Sequence, residues 1–317
     1  MYHDFDMEKI LNHIKTTPKK NFILDTDTFN EIDDQFAVTL AMTAEDLNLL
    51  GLCAAPFHNQ RSSGPADGME KSYQELLKLR QLIDPEDKMH VPCYRGSDKY
   101  MDNIITPVKS DAAENLVRLV NEADDIVYIG VVGCFTNVAS ALLLDPSIIN
   151  KAVIILLGGN LFENIDANDF NLVQDRIAAR VIFDCGVPVV LLPAMGGSCT
   201  DIIHMTNAEV TYYFKDKAGA IGNYLCKIFY DDECEPEEGE YGCNTRQRSI
   251  FDIAAPMFAR VPDNFVYTIV PARTIDGEGM YREVNDGRKM IYVPHADRNA
   301  VLSDFFTTVK KFTTRNA

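Results

Sequence analysis

Residues 21–37, NFILDTDTFNEIDDQFA, have the pattern of a buried strand that passes through a loop into a helix. The strand pattern ends in Asp25 and Asp27, and the helix pattern begins near Asp33 and Asp34. Strands that lead into helices in this way build parallel sheets covered by helices, and such sheets bind ligands at the carboxyl ends of their strands. We therefore expect an α/β protein whose site lies at this loop.

The same alternation of short apolar runs and helical stretches continues along the chain. The predicted strands are Asn21–Asp25, Leu49–Phe57, His90–Tyr94, Ile126–Val132, Ala152–Leu157 and Pro188–Pro193. The predicted helices are Asp33–Glu45, Gly68–Ile83, Ala112–Glu122, Thr136–Leu144 and Leu172–Cys185. Residues 126–160 are the clearest strand, helix and strand unit. The pattern predicts a mostly parallel, Rossmann-like central sheet with helices on both faces.

The alternation weakens after Met205. A helix is predicted over 208–230, and residues 231–240, seven of them acidic, are expected to form a solvated surface loop. A helix over 249–259, antiparallel hairpin strands and a closing helix near 296–311 complete the pattern. With no repeat or low-complexity linker, we expect a single domain with a small C-terminal antiparallel elaboration.

Composition excludes several classes of protein. The 317 residues are 46% hydrophobic, enough for a full core, and carry 30 Lys and Arg against 47 Asp and Glu, a net charge of −17. So acidic a chain is not expected to bind nucleic acid. It has neither an apolar run long enough for a membrane span nor a signal-peptide pattern, and we expect a cytoplasmic protein. The eight cysteines form no C-x-x-C pair, which predicts reduced thiols and argues against a zinc site.

The four carboxylates of the opening segment are too close to be turn residues alone. Asp25, Asp27, Asp33 and Asp34, with Glu31 between them, repel one another unless a cation lies among them. Oxygen ligands suit a hard cation such as Ca²⁺ or Mg²⁺. The segment therefore predicts a metal site.

This arrangement resembles the nucleoside hydrolase family, the inosine-uridine-preferring ribohydrolases, whose signature is Asp-x-Asp followed by Asp-Asp at a strand end. Here five residues, 28–32, separate the two pairs, whereas the family's usual spacer has three. Further landmarks follow in the family's order, so that the resemblance spans about residues 21–259. They are Asn59 after GLCAAPFH, Thr136 in GCFTNVASALLLDP, the glycines of LLGGN, Asp169 and Asn171 in NDFNLVQD, and Asp252 in FDIA.

The resemblance implies a nucleoside hydrolase-like domain over residues 1–317 that hydrolyses the N-glycosidic bond of small-molecule ribonucleosides in purine or pyrimidine salvage. It implies one divalent cation, Ca²⁺ in preference to Mg²⁺, held by Asp27, Asp34, Asp252 and the Thr136 carbonyl. Asp27 would be the general base, and Asp25 would support the metal shell. A homodimer or homotetramer is also implied.

The family's ribose contacts and base contact fall on a second set of residues. The substrate-binding residues implied are Asp33, Asn59, Asn164, Asp169, Asn171 and Phe251. Asn164 has Glu163 and Asn160 as rivals for its position. Asp169 replaces a Glu of the family.

Phe251 replaces the family His that assists the departing base, and it can stack on a base or pack in the core but cannot donate a proton. The candidates for a leaving-group acid are His58, His204, Tyr241, Arg246 and Arg248. Tyr224 is a candidate for base stacking or for the core. Base preference stays open at this stage.

Two other functions compete with this interpretation. ILDTDTF also fits the start of haloacid-dehalogenase-type phosphatases, with Asp25 as nucleophile and Asp27 as its partner, but the later strands lack the acidic pair that those enzymes need. A ribose-binding or nucleoside-binding protein that has lost catalysis would fit Phe251 and the longer loop. A Rossmann oxidoreductase is disfavoured because GVVGCF is not a dinucleotide-binding motif.

Overall fold

The computed structural model describes residues 6–233 and 239–315, although the side chains of residues 233 and 239–241 are not described. Its helices are α1 (Met7–Thr16), α2 (Asp33–Thr43), α3 (Pro65–Ile83), α4 (Asp111–Glu122), α5 (Thr136–Leu144), α6 (Phe170–Gln174), α7 (Arg176–Asp184), α8 (Asn207–Phe214), α9 (Gly219–Glu233), α10 (Gly239–Thr245), α11 (Ala254–Arg260) and α12 (Arg298–Arg315). Short 3₁₀ helices lie at Pro146–Asn150, Phe251–Ile253 and Pro262–Asn264.

The strands are β1 (Lys20–Thr26), β2 (Leu47–Ala54), β3 (Cys93–Arg95), β4 (Val127–Val131), β5 (Ala152–Leu157), β6 (Val189–Leu192), β7 (His204–Thr206), β8 (Gln247–Ser249), β9 (Phe265–Pro271), β10 (Arg273–Ile275), β11 (Tyr281–Glu283) and β12 (Lys289–Ala296). Eight of them form one sheet in the order β3-β2-β1-β4-β5-β6-β12-β9. Every neighbouring pair is parallel except β12 and β9. The predicted mostly parallel sheet is confirmed.

Both faces of this sheet are buried. Side chains alternate along β1, so Phe22 and Leu24 enter one apolar cluster and Ile23 enters the other. Helices α2, α11 and α12 contribute to the first cluster, and α4, α5 and α7 contribute to the second. A strand buried on both faces is continuously apolar, which explains why β1, β4 and β5 are legible in the sequence.

The predicted antiparallel strands of the C-terminal part are confirmed, and one antiparallel pair extends the main sheet. β12 pairs in parallel with β6 and antiparallel with β9, so both strands extend the main sheet. Two small antiparallel pairs, β10 with β11 and β7 with β8, lie beside it.

Two predicted helices are each broken into two. The predicted helix 172–185 divides at Asp175, which caps α7 by accepting the backbone N–H of Ala178 (2.9 Å). The predicted helix 208–230 divides into α8 and α9, and Asp216 between them has a positive φ of 57°. Polar side chains that bond to the backbone favour such interruptions over continued helix.

Two other expectations need correction or fall partly outside the described residues. The acidic segment 231–240 is not wholly a loop, because 231–233 end α9 and 239–240 begin α10, while 234–238 are not described. Cys243 is disulfide-bonded, so the expectation of reduced thiols is wrong there. Six other cysteines are free: Cys53, Cys93, Cys134, Cys185, Cys199 and Cys226. None of the helices in the described ranges is both long enough and apolar enough to span a membrane.

Candidate functional site

A cavity of about 270 Å³ opens at the carboxyl ends of the central strands. It is lined by Asp27, Asn30, Glu31, Asp33, Asp34, Val132, Leu157, Asp169, Phe170, Asn171, Ala194, Met195, Phe251 and Asp252. β1, β4, β5 and β6 lead into these segments, because they are parallel neighbours. The cavity therefore lies where an α/β sheet is expected to bind its ligand.

Three buried carboxylates meet at the floor of this cavity. One oxygen each of Asp33, Asp34 and Asp252 lies within 4.8 Å of the other two. Asp33 and Asp34 form the first turn of α2, where the helix dipole favours negative charge, and Asp252 lies in the 3₁₀ helix before α11. The structure thus places Asp33, predicted to bind ribose, in the same cluster as the predicted metal ligands.

The cluster carries more negative charge than its neighbours compensate. Burial raises the pKa of Asp34 to about 6, opposed by a hydrogen bond that the Thr26 hydroxyl donates to it. Burial, followed by neighbouring carboxylates, raises the pKa of Asp33 and Asp252 well above the ordinary range. Arg248 acts in the opposite direction on Asp33. Carboxyl groups so placed ionise together only if a cation joins them.

Asp27 adds an unsatisfied oxygen to the same floor. Its side chain is 1% exposed, and its Oδ2 is buried without a hydrogen-bond partner among the described residues. Burial, then the charges of Asp34 and Asp33, raises the pKa of Asp27 well above the ordinary range. An orphaned carboxylate oxygen beside three more carboxylates is a donor set that fits a hard divalent cation.

Asp25 does not take part in the lining of the cavity. It is fully buried, and its Oδ1 accepts a hydrogen bond from Asn137 Nδ2 (2.8 Å). Asn137 also donates to the Ala54 carbonyl (3.1 Å) and accepts from the Ser97 backbone N–H (2.7 Å). Burial raises the pKa of Asp25 to about 7, against the lowering effect of Asn137. This role of Asn137, which follows Thr136 in the motif GCFTNVASALLLDP, was not predicted from the sequence.

Asp169 and Asn171 line the opposite wall at the start of α6. Asp169 Oδ1 accepts the backbone N–H of Gly159 (2.8 Å) and of Leu172 (3.2 Å), which fixes its position at the helix N-terminus. Burial raises the pKa of Asp169 to about 6 despite these bonds. Asn171 Nδ2 donates to the Val132 carbonyl (2.6 Å). Both predicted ribose contacts therefore face the same cavity as the carboxylate floor.

Three other predicted site residues do not line the cavity. Thr136 is fully buried, and its hydroxyl donates to Asp175 (2.6 Å). Asn164 is exposed, and its Oδ1 accepts the backbone N–H of Asp166 (3.1 Å). Asn59 is one contact away, since its Nδ2 donates to the Oδ1 of cavity-lining Asn30 (2.6 Å).

The two rivals of Asn164 differ in position. Glu163 is exposed, whereas Asn160 is 9% exposed at the end of β5 and donates to the Asp166 carbonyl (2.9 Å). Asn160 is therefore the nearest of the three to the strand ends that form the cavity.

The lengthened spacer supplies two lining residues that the sequence analysis did not assign. Asn30 is 6% exposed, and Glu31 contacts the Arg248 guanidinium. Arg248 also contacts Asp232, to which Arg61 donates (2.7 Å). The sequence signal for these two lining residues was the length of the spacer, which has two residues more than the family's usual spacer. Extra residues in a ligand-binding loop have to be accommodated beside the ligand.

Phe251 lines the cavity and is half-buried, with Met195 half-exposed on the same lining. This position allows contact with a ligand. Two candidate leaving-group acids lie elsewhere: the His58 ring is 3.5 Å from the Ser62 hydroxyl, and the His204 ring is 3.0 Å from the Ser249 hydroxyl. Of the other candidates, Arg246 is exposed and Arg248 is paired with Glu31 and Asp232. The side chain of Tyr241 is outside the described part of the structure.

Comparison with known proteins matches this chain to one family. Residues 22–288 match the model of the family described as "Inosine-uridine preferring nucleoside hydrolase". "Probable uridine nucleosidase 2" of Arabidopsis thaliana is 27% identical over 281 residues, which cover 80% of this chain and 82% of the plant protein. "Pyrimidine-specific ribonucleoside hydrolase RihA" of Escherichia coli is 27% identical over 221 residues, which cover 62% of this chain and 65% of the bacterial protein.

Two solved structures share the fold. "Purine-Preferring Ribonucleoside Hydrolase from Gardnerella vaginalis" superposes with a TM-score of 0.73 and 21% identity, covering 93% of this chain and 100% of its own. "Inosine-Guanosine Nucleoside Hydrolase" superposes with a TM-score of 0.70 and 18% identity, covering 93% of this chain and 98% of its own. Each of these two structures has the same fold as this chain over nearly its whole length.

Proposed function

The chain belongs to the inosine-uridine preferring nucleoside hydrolase family, and we propose that it hydrolyses the N-glycosidic bond of ribonucleosides with the help of one Ca²⁺. The products are ribose and the free base. The observation that carries the proposal is that one cavity combines the buried carboxylates Asp27, Asp34 and Asp252 with the polar wall of Asp169 and Asn171.

Asp27, Asp34 and Asp252 would hold the cation, with the Thr136 carbonyl as the ligand that the family pattern adds. A bound divalent cation would offset two of these three negative charges and would lower the pKa of the water that it coordinates. Ca²⁺ suits the site better than Mg²⁺, because Ca²⁺ accepts several carboxylates in a flexible arrangement whereas Mg²⁺ keeps more of its waters.

Asp27 would accept the proton of the attacking water at its Oδ2. That oxygen is buried and has no partner among the described residues, so it is not spent on a structural hydrogen bond. Asp25 also has a buried Oδ2 without a partner among the described residues, but it would act as support for this shell, because it does not line the cavity and its Oδ1 is bonded to Asn137. The phosphatase alternative would need Asp25 to reach the substrate, and Asp25 does not line the cavity.

Asp33, Asp169 and Asn171 would hold the ribose hydroxyls. The carboxylates accept from hydroxyl groups, and bonds that strengthen as the sugar flattens lower the barrier to glycosidic cleavage. Asn59 and Asn164 remain proposed ribose contacts of the family pattern. Since such contacts use the 2′-hydroxyl, ribonucleosides should be preferred over 2′-deoxyribonucleosides.

Phe251 would stack on the departing base. It lines the cavity and has an apolar face, but it supplies no proton. Help for the leaving group therefore has to come from another group or from solvent.

The test is release of free ribose from a panel of purine and pyrimidine nucleosides, with 2′-deoxy analogues and p-nitrophenyl phosphate as controls. We expect ribose release in Ca²⁺ that stops after chelation. If the protein bound metal but released no ribose, a binding role would replace the hydrolase proposal, and phosphate release would favour the phosphatase.

We also propose a cytoplasmic homodimer or homotetramer that serves nucleobase salvage and binds no nucleic acid. Cell fractionation tests the cytoplasmic location, and the solution mass of the purified protein tests the oligomeric state. Growth on a nucleoside as the sole source of nucleobase tests the role in salvage. A DNA and RNA binding assay tests the absence of nucleic-acid binding.

A further inference from the structure

A second cavity of about 230 Å³ adjoins the first, and the carboxylate of Glu31 belongs to the wall of both. Its lining is Phe29, Glu31, Ile32, Gln35, Arg61, Glu75, Lys78, Tyr224, Ile228, Asp231 and Asp232. Small-molecule sites usually occupy about 300–1,000 Å³, a range that the first cavity alone does not reach. A substrate with two parts could fill both.

The two cationic side chains that line this second cavity, Lys78 and Arg61, are already paired with carboxylates. Lys78 donates to Glu75 (3.2 Å) and to the Tyr224 hydroxyl (2.6 Å), and that hydroxyl donates to Glu75. The guanidinium of Arg61 donates to Asp232 (2.7 Å). These groups form neutral networks and stay in place without a ligand.

Gln35 and Glu31 each offer the cavity a side-chain oxygen that can accept a hydrogen bond from a ligand. Gln35 is 4% exposed, and its Oε1 is buried without a hydrogen-bond partner among the described residues. A buried oxygen without a partner costs free energy, so it points to a group that arrives with the ligand. Glu31 is the second acceptor, because Arg248 contacts its Oε2 and leaves Oε1 available.

Glu31 lies near the carboxylate cluster, since burial and the charge of Glu31 both raise the pKa of Asp33, Asp34 and Asp252, but it is not one of the three whose oxygens converge. Among the described residues, the carboxylates that come together closely enough for a metal are Asp33, Asp34 and Asp252, without Glu31. Its side chain is 42% exposed, at the boundary between the cavities. Arg248, clamped between Glu31 and Asp232, holds it there as a positioning residue.

We propose that Glu31 is a specificity-determining residue for the leaving group, which enters the second cavity and is an amino-substituted nucleobase. The inference rests on the proposed nucleoside hydrolysis. A pair of acceptors, Glu31 Oε1 and Gln35 Oε1, selects a base edge that presents amino N–H donors and disfavours an edge that presents carbonyl oxygens. Phe29 and Tyr224 supply aromatic surface for the ring in the same cavity.

The experiment compares kcat/KM for ribose release within three pairs: guanosine with inosine, adenosine with inosine, and cytidine with uridine. In Ca²⁺, the wild-type protein should favour the amino member of at least one pair by about tenfold or more, as expected for a hydrogen bond to a charged group. Glu31→Gln should reduce that ratio to near one, mainly by lowering kcat/KM for the amino member.

Two further variants make the result specific. Gln35→Met should lower the same ratio without a change in Ca²⁺ affinity. Glu86→Gln alters an exposed carboxylate paired with Lys88 and should leave every ratio unchanged.

The outcomes separate this inference from the proposed function. Ribose release with ratios that Glu31→Gln does not change would overturn the specificity role and leave the hydrolase intact. A uniform loss on all substrates together with weaker Ca²⁺ binding would assign Glu31 to the metal site and also overturn it. No ribose release by the wild-type protein with Ca²⁺ bound would overturn both proposals.

Discussion

The floor of the first cavity and the ion pairs at its rim are both rich in carboxylates, but they handle charge in opposite ways. At the floor, Asp27, Asp34 and Asp252 are buried, and no Lys or Arg pairs with them among the described residues. At the rim, Glu31 and Asp232 share the guanidinium of Arg248. The unpaired carboxylates of the floor need a cation from solution, whereas the ion pairs of the rim fix the positions of their own side chains.

The floor and the rim also differ in how far apart their residues lie in the sequence. The floor is drawn mainly from Asp27, Asp33 and Asp34, which the end of β1 and the start of α2 bring together. The rim joins Glu31 to Arg248 and Arg61 to Asp232, pairs that are far apart in sequence. Substitutions at the floor should therefore affect chemistry, and those at the rim should affect substrate choice and stability by smaller amounts.

Asp27→Asn should have the largest effect. It removes the proposed proton acceptor while keeping the side-chain volume, and we expect kcat/KM for ribose release to fall by about 10²–10⁴-fold, the usual contribution of a general base. Steady-state kinetics in saturating Ca²⁺ measure it. Asp124→Asn, at an exposed position, is the matched control, and wild-type rates for Asp27→Asn would remove the contrast between floor and rim.

The pH dependence of stability should show the uncompensated charge directly. Burial raises the pKa of Asp34 to about 6 and that of Asp25 to about 7, above the ordinary 3.8, so the metal-free folded state favours their protonated forms. Their stabilising contribution is present at low pH and is lost as pH rises from about 4 to about 7. Thermal unfolding in chelator should give a lower Tm at pH 7 than at pH 5.

Asp34→Asn sharpens the same point. The neutral amide removes the penalty for burying a charge, so the metal-free variant should be more stable than the wild type at pH 7, by roughly 1–2 kcal/mol. Ca²⁺ should stabilise the wild type and have much less effect on the variant. A metal-free variant that unfolds below the wild type at pH 7 would show that Asp34 is compensated within the fold.

Asn137→Ala tests the hydrogen bonds that support Asp25. It removes the donor to Asp25 and leaves the Ala54 carbonyl and the Ser97 N–H without their partner. We expect a loss of about 2–4 kcal/mol in the free energy of unfolding, measured by urea denaturation. Wild-type stability would mean that this network is dispensable.

Arg61→Gln should have the smallest effect. Arg61 is partly exposed, and Asp232 keeps its contact with Arg248, so the free energy of unfolding should change by less than about 1 kcal/mol. Kinetic constants for ribose release should stay within about threefold of the wild type on the same argument. A large loss of activity would show that the charge of Arg61 takes part in catalysis.

The central fold was predictable because its strands are buried on both faces. Ala152–Leu157 and Thr136–Leu144 have the predicted bounds, since each is a mostly buried apolar segment in the clear strand, helix and strand unit of residues 126–160. The break at Asp175 was not visible, because it depends on bonds from Thr136 and Met101, which are distant in sequence. The pairing of β12 with β6 is likewise a long-range choice.

The site was predictable to the extent that its residues are local. The carboxylates of residues 25–34 stood out by charge repulsion alone, whereas Asp252 was found only through the family resemblance. The positions of Asn30 and Glu31 could not be deduced, because the path of a lengthened loop depends on what it packs against. The exposed position of Asn164 and the disulfide of Cys243 also depend on tertiary structure.

The most direct test of the floor is a calorimetric titration of Ca²⁺ into the metal-free protein at pH 6, repeated in two buffers of different ionisation enthalpy. We expect one Ca²⁺ ion to bind per chain. The measured heat of binding should differ between the two buffers, because carboxyl protons are released when the ion binds. Asp252→Asn should weaken this binding strongly. Absence of binding, or binding that Asp252→Asn does not affect, would contradict a metal site built from these carboxylates.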